Sequence, residues 1–318
     1  VAHRPDAASA AAGTAVGAGV MAVVLLVGLR DLLIPGIEQP RPLSTSEQSL
    51  SDFWARFVDS GSGSVGFLLR HPLSTAAALA AIARLPRHEA VLAHTVGGRA
   101  LHLALDRPGP FGTPLGATGV AVLDVPADPE EYSLGASRQT LRRKARKALK
   151  SGVVWRPVDD PAERRALLQL ANECERAHAD EQYRIDSPDN ADLLDHDLWL
   201  AAFAADGTPL LLSVTPTDGE WAQLRYFRTL GAGQEHSDTR YLMTQVLVET
   251  LAPLGVRYLA DGVHPTELPN GLRHFQRMVG FRLVRVRARL EAPASAGEHA
   301  PAADSTAVPT RRHLTAVR

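Results

Sequence analysis

Cysteine is nearly absent: Cys174 stands alone in 318 residues, which excludes an intrachain disulfide and fits a reducing compartment. Net charge is nearly absent too. At a formal charge of −1 the molecule as a whole steers no polyanion, and any electrostatic function must be local. Long apolar runs are missing. The run from Ala15 to Leu29, AVGAGVMAVVLLVGL, stops at Arg30-Asp31, short of the roughly 20 residues that span a bilayer. The segment before it carries little positive charge and no small-x-small cleavage site follows, which argues against a secretory signal. The expected location is cytoplasmic, with residues 15–29 as the candidate membrane contact. The other readings of that run are a helix packed on the domain and a stretch upstream of the true start. Internal repeats of solenoid length are absent. Apolar residues, at 45 %, suffice for a buried core in one large domain or two small ones.

Composition and punctuation divide the chain. Residues 1–44 read as a disordered and apolar leader with a linker, Pro35 to Ser49 being rich in proline and serine. Residues 45–129 read as helices followed by strands. SLSDFWARFVDS has a Ser cap, and GFLLRHPLSTAAALAAIARL breaks at Pro72. EAVLAHTV and ALHLALD flank Gly97-Gly98-Arg99 as a hairpin signal, and GVAVLDV is a further strand. After Pro129 the order becomes helix, strand, helix, three strands, helix, strand, helix, strand. Its punctuation is Gly152, Asp206-Gly207, Asp218-Gly219, Gly255 and Gly280. Residues 293–318 read as a disordered tail.

That order ends in Asn270-Gly271-Leu272-Arg273-His274-Phe275-Gln276-Arg277-Met278-Val279-Gly280-Phe281, preceded by Asp261-Gly262 after a short strand. The ending, with the basic SRQTLRRKARKALKSGV at the start of this half, resembles the GNAT acyltransferases. The Phe-Gln-Arg variant lies nearer to their Fem-type branch of peptidoglycan aminoacyl transferases. The resemblance covers about half the chain. It implies an α/β (α+β) fold with one GNAT-type mixed sheet flanked by helices in residues 130–292, and an N-terminal partial lobe in 45–129. It implies an N-acyltransferase in which an amine attacks an acyl thioester held between splayed strands, with acetyl-CoA or another acyl-CoA as donor. An aminoacyl-tRNA donor is the alternative, and a catalytically degenerate binding module is the non-enzymatic one.

The resemblance places pyrophosphate contacts at Arg228, Leu230, Gly231 and Gly233, the spelling Arg-x-x-Gly-x-Gly. Counting back from Gly255, however, starts the following helix near Ser237, so His236, Ser237 and Arg240 become side-chain candidates for phosphate. Glu235 and Asp238 oppose an anion there. Asn270 and Phe275 complete the donor site. Phe275 stands where many members carry a tyrosine that protonates the leaving thiolate, which leaves Tyr226, Tyr241 or His274 to do so, or a leaving group other than CoA. Asp261 and His264, at the end of a central strand, are the candidate bases. Arg138, Arg142, Arg143, Arg146 and Lys147 form a helical cationic surface with no acid among them, suited to tRNA or an anionic surface. Without interleaved aromatics it is unsuited to reading bases, and no DNA partner is expected. The acceptor is a small-molecule or envelope-precursor amine. No metal-ligand spacing is present; His264-x-x-Glu267 fits no ligand pattern.

Overall fold

The computed structural model describes residues 43–60, 64–109 and 112–291, which belong to one compact unit. The expected tails and the apolar run at 15–29 lie outside the described residues. Helix α1 (Thr45–Asp59) starts inside the expected linker, because Ser44 and Glu47 form a reciprocal capping box. The second carboxylate oxygen of Glu47 accepts the Leu283 N–H at 3.0 Å and ties the helix to the last strand. Helices α2 (Ser64–Arg70) and α3 (Pro72–Arg84) follow, with Pro72 in the first turn of α3, where its missing N–H costs nothing.

Strand β1 (Arg87–Leu92) is followed by helix α4 (Val96–Asp106), where a hairpin partner was expected. Thr95 caps the helix by accepting the Gly98 N–H at 2.8 Å, and Leu101 and Leu105 fall four apart on its buried face. The two glycines serve close approach rather than a turn. A Cβ on Gly97 would lie 2.2 Å from the Thr217 carbonyl oxygen, and one on Gly98 2.2 Å from that of Ala93. Strand β2 (Val120–Asp124) closes this part.

Helix α5 (Gln139–Lys150), strand β3 (Val154–Pro157) and helix α6 (Pro161–Arg176, capped by Asp160) come next. The strands β4 (Trp199–Phe203), β5 (Pro209–Val214), β6 (Thr217–Asp218), β7 (Trp221–Gln223) and β8 (Tyr226–Thr229) then run in succession. Helix α7 (Gln234–Leu251), strand β9 (Tyr258–Ala260), helix α8 (Asn270–Val279) and strand β10 (Arg282–Leu290) complete the order.

The single GNAT-type mixed sheet is not what these strands build. They form a six-stranded sheet, β1-β10-β2-β9-β7-β6, and a separate four-stranded sheet, β3-β4-β5-β8. Two features of the chain cause this. The connection Leu224-Arg225 turns the path from β7, which pairs parallel with β9, to β8, which pairs antiparallel with β5. The long β10 is taken up between β1 and β2, so strands from before and after residue 129 share one sheet. Helices α5, α7 and α8 pack with both sheets in the largest core, around Leu141, Met243, Leu247 and Val279.

Candidate active site

The turn between β7 and β8 creates the site. Gln223 is still paired with Ala260, and the Leu224 N–H donates to the Ala260 carbonyl at 2.8 Å. Beyond that point β8 leaves for the other sheet, and a cavity of about 340 Å³ opens between β8 and the end of β9. Tyr226 and Arg228 line it from β8, Asp261 from the end of β9, Glu175 from α6 and Arg240 from α7.

Asp261 is buried. One carboxylate oxygen accepts the Val263 N–H at 3.0 Å and the other the Gln276 side-chain amide at 2.5 Å. Burial pushes its pKa up to about 6, against the opposing pull of those hydrogen bonds. A carboxylate titrating there is ionised at neutral pH yet basic enough to take a proton.

Glu175 is 4 % exposed. It holds Arg228 at 3.2 Å and accepts from the Asn190 side-chain amide at 3.1 Å. The Tyr226 hydroxyl is buried with no hydrogen bond of good geometry. Burial, then the charge of Glu175, raises its pKa, so it remains a phenol. Arg240 lies over the Phe275 ring at 5.5 Å and reaches Thr229 Oγ1 at 3.4 Å; its Nε has no partner. Burial lowers its pKa, and it forms no ion pair among the described residues. A half-buried guanidinium without a carboxylate favours a ligand that supplies the negative charge.

Other expected residues lie elsewhere. His264 is fully buried, edge-on to Trp54 at 4.8 Å, with Nδ1 accepting the Thr266 N–H at 3.1 Å. Burial, then Arg107, pushes its pKa down to about 4. It is thus a packed neutral ring beneath the loop rather than a base facing the cavity. Leu230 belongs to the core beneath α6, and Phe275 packs edge-on against Tyr241. Asn270 accepts a hydrogen bond from Arg273.

Helix α7 begins directly after Gly233 (φ 117°), three residues earlier than counted. The loop is nevertheless no diphosphate cradle. The His236 ring fills the hollow over Gly231, where a Cβ would lie 2.5 Å from its Nε2. Glu235 sits in the first turn. Asp238 is buried and binds Lys144 at 2.9 Å and Lys147 at 3.0 Å. Burial acts to raise its pKa, but the two ammonium groups and the Gln234 amide prevail and hold it low, so it stays an anion at the helix start. Ser237 is near Lys144 rather than open to a ligand, at 3.5 Å. The acyl-CoA donor expected from the sequence is corrected accordingly.

The basic helix α5 is partly an internal fixture. Lys144 and Lys147 serve Asp238, Arg142 donates to the Ser133 and Gly135 carbonyls, and Arg138 lies over the Tyr132 ring at 4.9 Å. Arg143, Arg146 and Lys150 are exposed.

Two polar residues escaped the sequence reading. Glu175 follows Leu167, Leu168 and Ala171 on the buried stripe of α6, and Gln276 lies beside Phe275 and Val279 on that of α8. A polar side chain at an apolar period was the available signal. Gln276 also lines a second cavity of about 450 Å³ between α1 and α8. Trp54, Phe281 and Leu283 give that cavity an apolar wall, and Arg273 and Arg277 face it. The Asp261–Gln276 hydrogen bond therefore joins the walls of the two cavities. Among the described residues no cluster of potential metal ligands is present.

Family models give no match to this chain, and curated proteins give none. Solved structures do match. One is L-PGS from Bacillus licheniformis, at 14 % identity and a TM-score of 0.41. Another is the C-terminal domain (DUF2156) of a protein assigned as a lysylphosphatidylglycerol synthetase from Agrobacterium fabrum, at 13 % identity and a TM-score of 0.38. Each likeness spans 52 % of this chain and 57 % of the other. Neither is described as a GNAT acetyltransferase or a Fem-type transferase, and the two-sheet layout departs from that recognition independently. At such TM-scores the likeness says nothing of chemistry.

Proposed function

We propose that this chain is a transferase that moves an aminoacyl group from the ester of a tRNA to a nucleophile on an envelope-related amphiphile. The observation that carries the reading is the cavity between β8 and β9, where a basic carboxylate, a second buried carboxylate and a half-buried guanidinium without an acidic partner among the described residues converge. Those charges suit an aminoacyl ester: Glu175 matches its α-ammonium group, and Arg240 matches the oxyanion that develops at its carbonyl. Asp261 takes the proton of the attacking hydroxyl or amine. The new bond forms to the carbonyl carbon, the ester C–O bond breaks, and the proton ends on the ribose oxygen. No enzyme nucleophile is needed, in keeping with Cys174, whose thiol burial holds in its protonated form. The second cavity, apolar on one side and lined by Arg273, Arg277 and Arg282 with Glu47 on the other, suits an amphiphile with an anionic head.

The direct test measures binding of esterified and bare tRNA as a function of salt. An aminoacyl-tRNA enzyme binds both through Arg143, Arg146 and Lys150, with affinity falling steeply with salt, and only the esterified form responds to Glu175→Gln. Equal, salt-independent or absent binding would sink the reading.

A further inference from the structure

Gln276 is a polar residue on the buried stripe of α8, and its amide lies between the two cavities. It lines the cavity between α1 and α8, whereas Asp261, to which its Nε2 donates at 2.5 Å, lines the cavity between β8 and β9. Among the described residues Asp261 is the one hydrogen-bond partner of the Gln276 side chain, and Gln276 is the one side-chain donor to Asp261. The second N–H and the carbonyl of the amide are therefore unused, on a side chain that lines the second cavity. A buried amide with so much of its hydrogen-bonding capacity unmet is open to a competing partner.

The second cavity brings such a partner to the amide. Gln276 and Arg277 follow Arg273 by three and four residues on α8 and all three line the cavity, so an anionic head held by the guanidiniums meets the amide as well. Arg273 donates to the Asn270 side chain and the Pro265 carbonyl, and Arg277 Nε has no partner. The other ionisable groups on this wall are His274, Glu47, which accepts the Ser44 and Leu283 N–H groups, and Arg282, which binds Asp124 at 2.7 Å. On the Asp261 side, Arg107 and Glu267 form a pair at 3.0 Å and act on the carboxylate in opposite senses. Across the first cavity Glu175 holds Arg228, and Arg240 lies over Phe275. Gln276 is thus the contact through which an anion in the second cavity reaches Asp261.

We infer that Gln276 is a positioning residue that couples the two cavities: an anionic head in the second cavity draws its amide from Asp261 and frees that carboxylate for the proton of the nucleophile. The coupling rests on the reading of the second cavity as the acceptor's. Only hydrogen bonds are exchanged. A head-group oxygen accepts the Gln276 N–H, and the Asp261 oxygen loses it. A carboxylate deprived of a donor is more basic, so the base gains strength when the acceptor is in place.

The test titrates the Asp261 carboxyl by carbon NMR in the full chain labelled at its aspartates, the resonance being identified by its loss in Asp261→Asn. The probe is octyl sulfate below its micelle concentration, an anionic amphiphile whose charge is constant with pH, and calorimetry reads its binding. In the wild type the midpoint near pH 6 should rise by about one pH unit when octyl sulfate is bound. Gln276→Leu should begin from the raised midpoint, still bind octyl sulfate through its arginines, and show no further rise. An unmoved or lowered wild-type midpoint, the same rise in Gln276→Leu, or no binding of octyl sulfate would overturn the inference. The wild-type titrations decide alone should Gln276→Leu not fold. No tRNA enters the measurement. A raised midpoint in a chain that transfers no aminoacyl group would remove the transfer reading and keep the coupling, whereas transfer with an unmoved midpoint would remove the coupling alone.

Discussion

Asp261 and His264 stand three residues apart and are shifted in opposite directions, to about 6 and to about 4. For Asp261 the folded pKa lies above the unfolded one, so its contribution to stability is present at low pH and fades as pH rises toward 6. For His264 the folded value lies below the unfolded one, so stability is gained as pH rises from about 4 to 6.5. Each amounts to roughly 3 kcal/mol, and they nearly cancel. Wild type should therefore show little net slope from this pair between pH 4 and 6.5, whereas Asp261→Asn should grow more stable as pH rises. Urea titrations at several pH values measure the difference, and parallel slopes would show the assignment to be wrong. Arg240 gives a second residue-scale prediction. Replacing a half-buried cation that has no acidic partner by an apolar chain removes part of a desolvation penalty, so Arg240→Met should leave the fold at least as stable while lowering kcat/KM. Loss of both stability and activity would instead mean that the guanidinium is structural.

At the level of elements, the contact between α5 and α7 depends on Asp238. Asp238→Ala would leave the half-buried Lys144 without its partner and cost on the order of 2 kcal/mol, Lys147 contributing little because it is exposed. Chemical denaturation checks this, and a neutral result would assign the pair to the surface. Arg142 belongs to the same architecture through its carbonyl contacts, so tRNA binding is better probed with Arg143→Glu and Arg146→Glu. Much of the element order was legible in the sequence. Asp160 with Pro161 started α6, Gly280 ended α8, and the basic run formed α5. Residues 96–106 were not, because Gly97-Gly98 has the spelling of a turn and only the approach of Thr217 shows why small residues stand there. The start of α7 was misplaced because the polar Gln234 to Ser237 carry no apolar period. Of the expected site, Asp261, Tyr226, Arg228 and Arg240 share the cavity. His264 does not, since burial under Trp54 depends on a helix more than 200 residues away.

For the whole molecule, the position of β10 between β1 and β2, and of β2 between β10 and β9, interleaves both halves of the chain. Residues 130–291 alone would leave β9 without its β2 neighbour and β10 with two open edges. That fragment should show no cooperative unfolding transition, whereas residues 43–291 should unfold in one. Calorimetry of the two fragments decides it, and a sharp transition in the shorter one would make the two halves separable. The interleaving also serves the site: β9, directly followed by Asp261, is held from one side by β2 and from the other by β7, so the base is fixed where the sheets part.

The claim that this cavity transfers aminoacyl groups is tested most directly with tRNA charged with a mixed pool of labelled amino acids, incubated with the chain and envelope lipids. The reading is the label extracted into organic solvent. Wild type should carry label into that phase with a rate that rises through about pH 6, and Asp261→Asn should lower the rate by about 10²–10⁴ and remove the pH dependence. Label that stays on tRNA with every acceptor fraction, or that moves equally well with Asp261→Asn, would contradict the account.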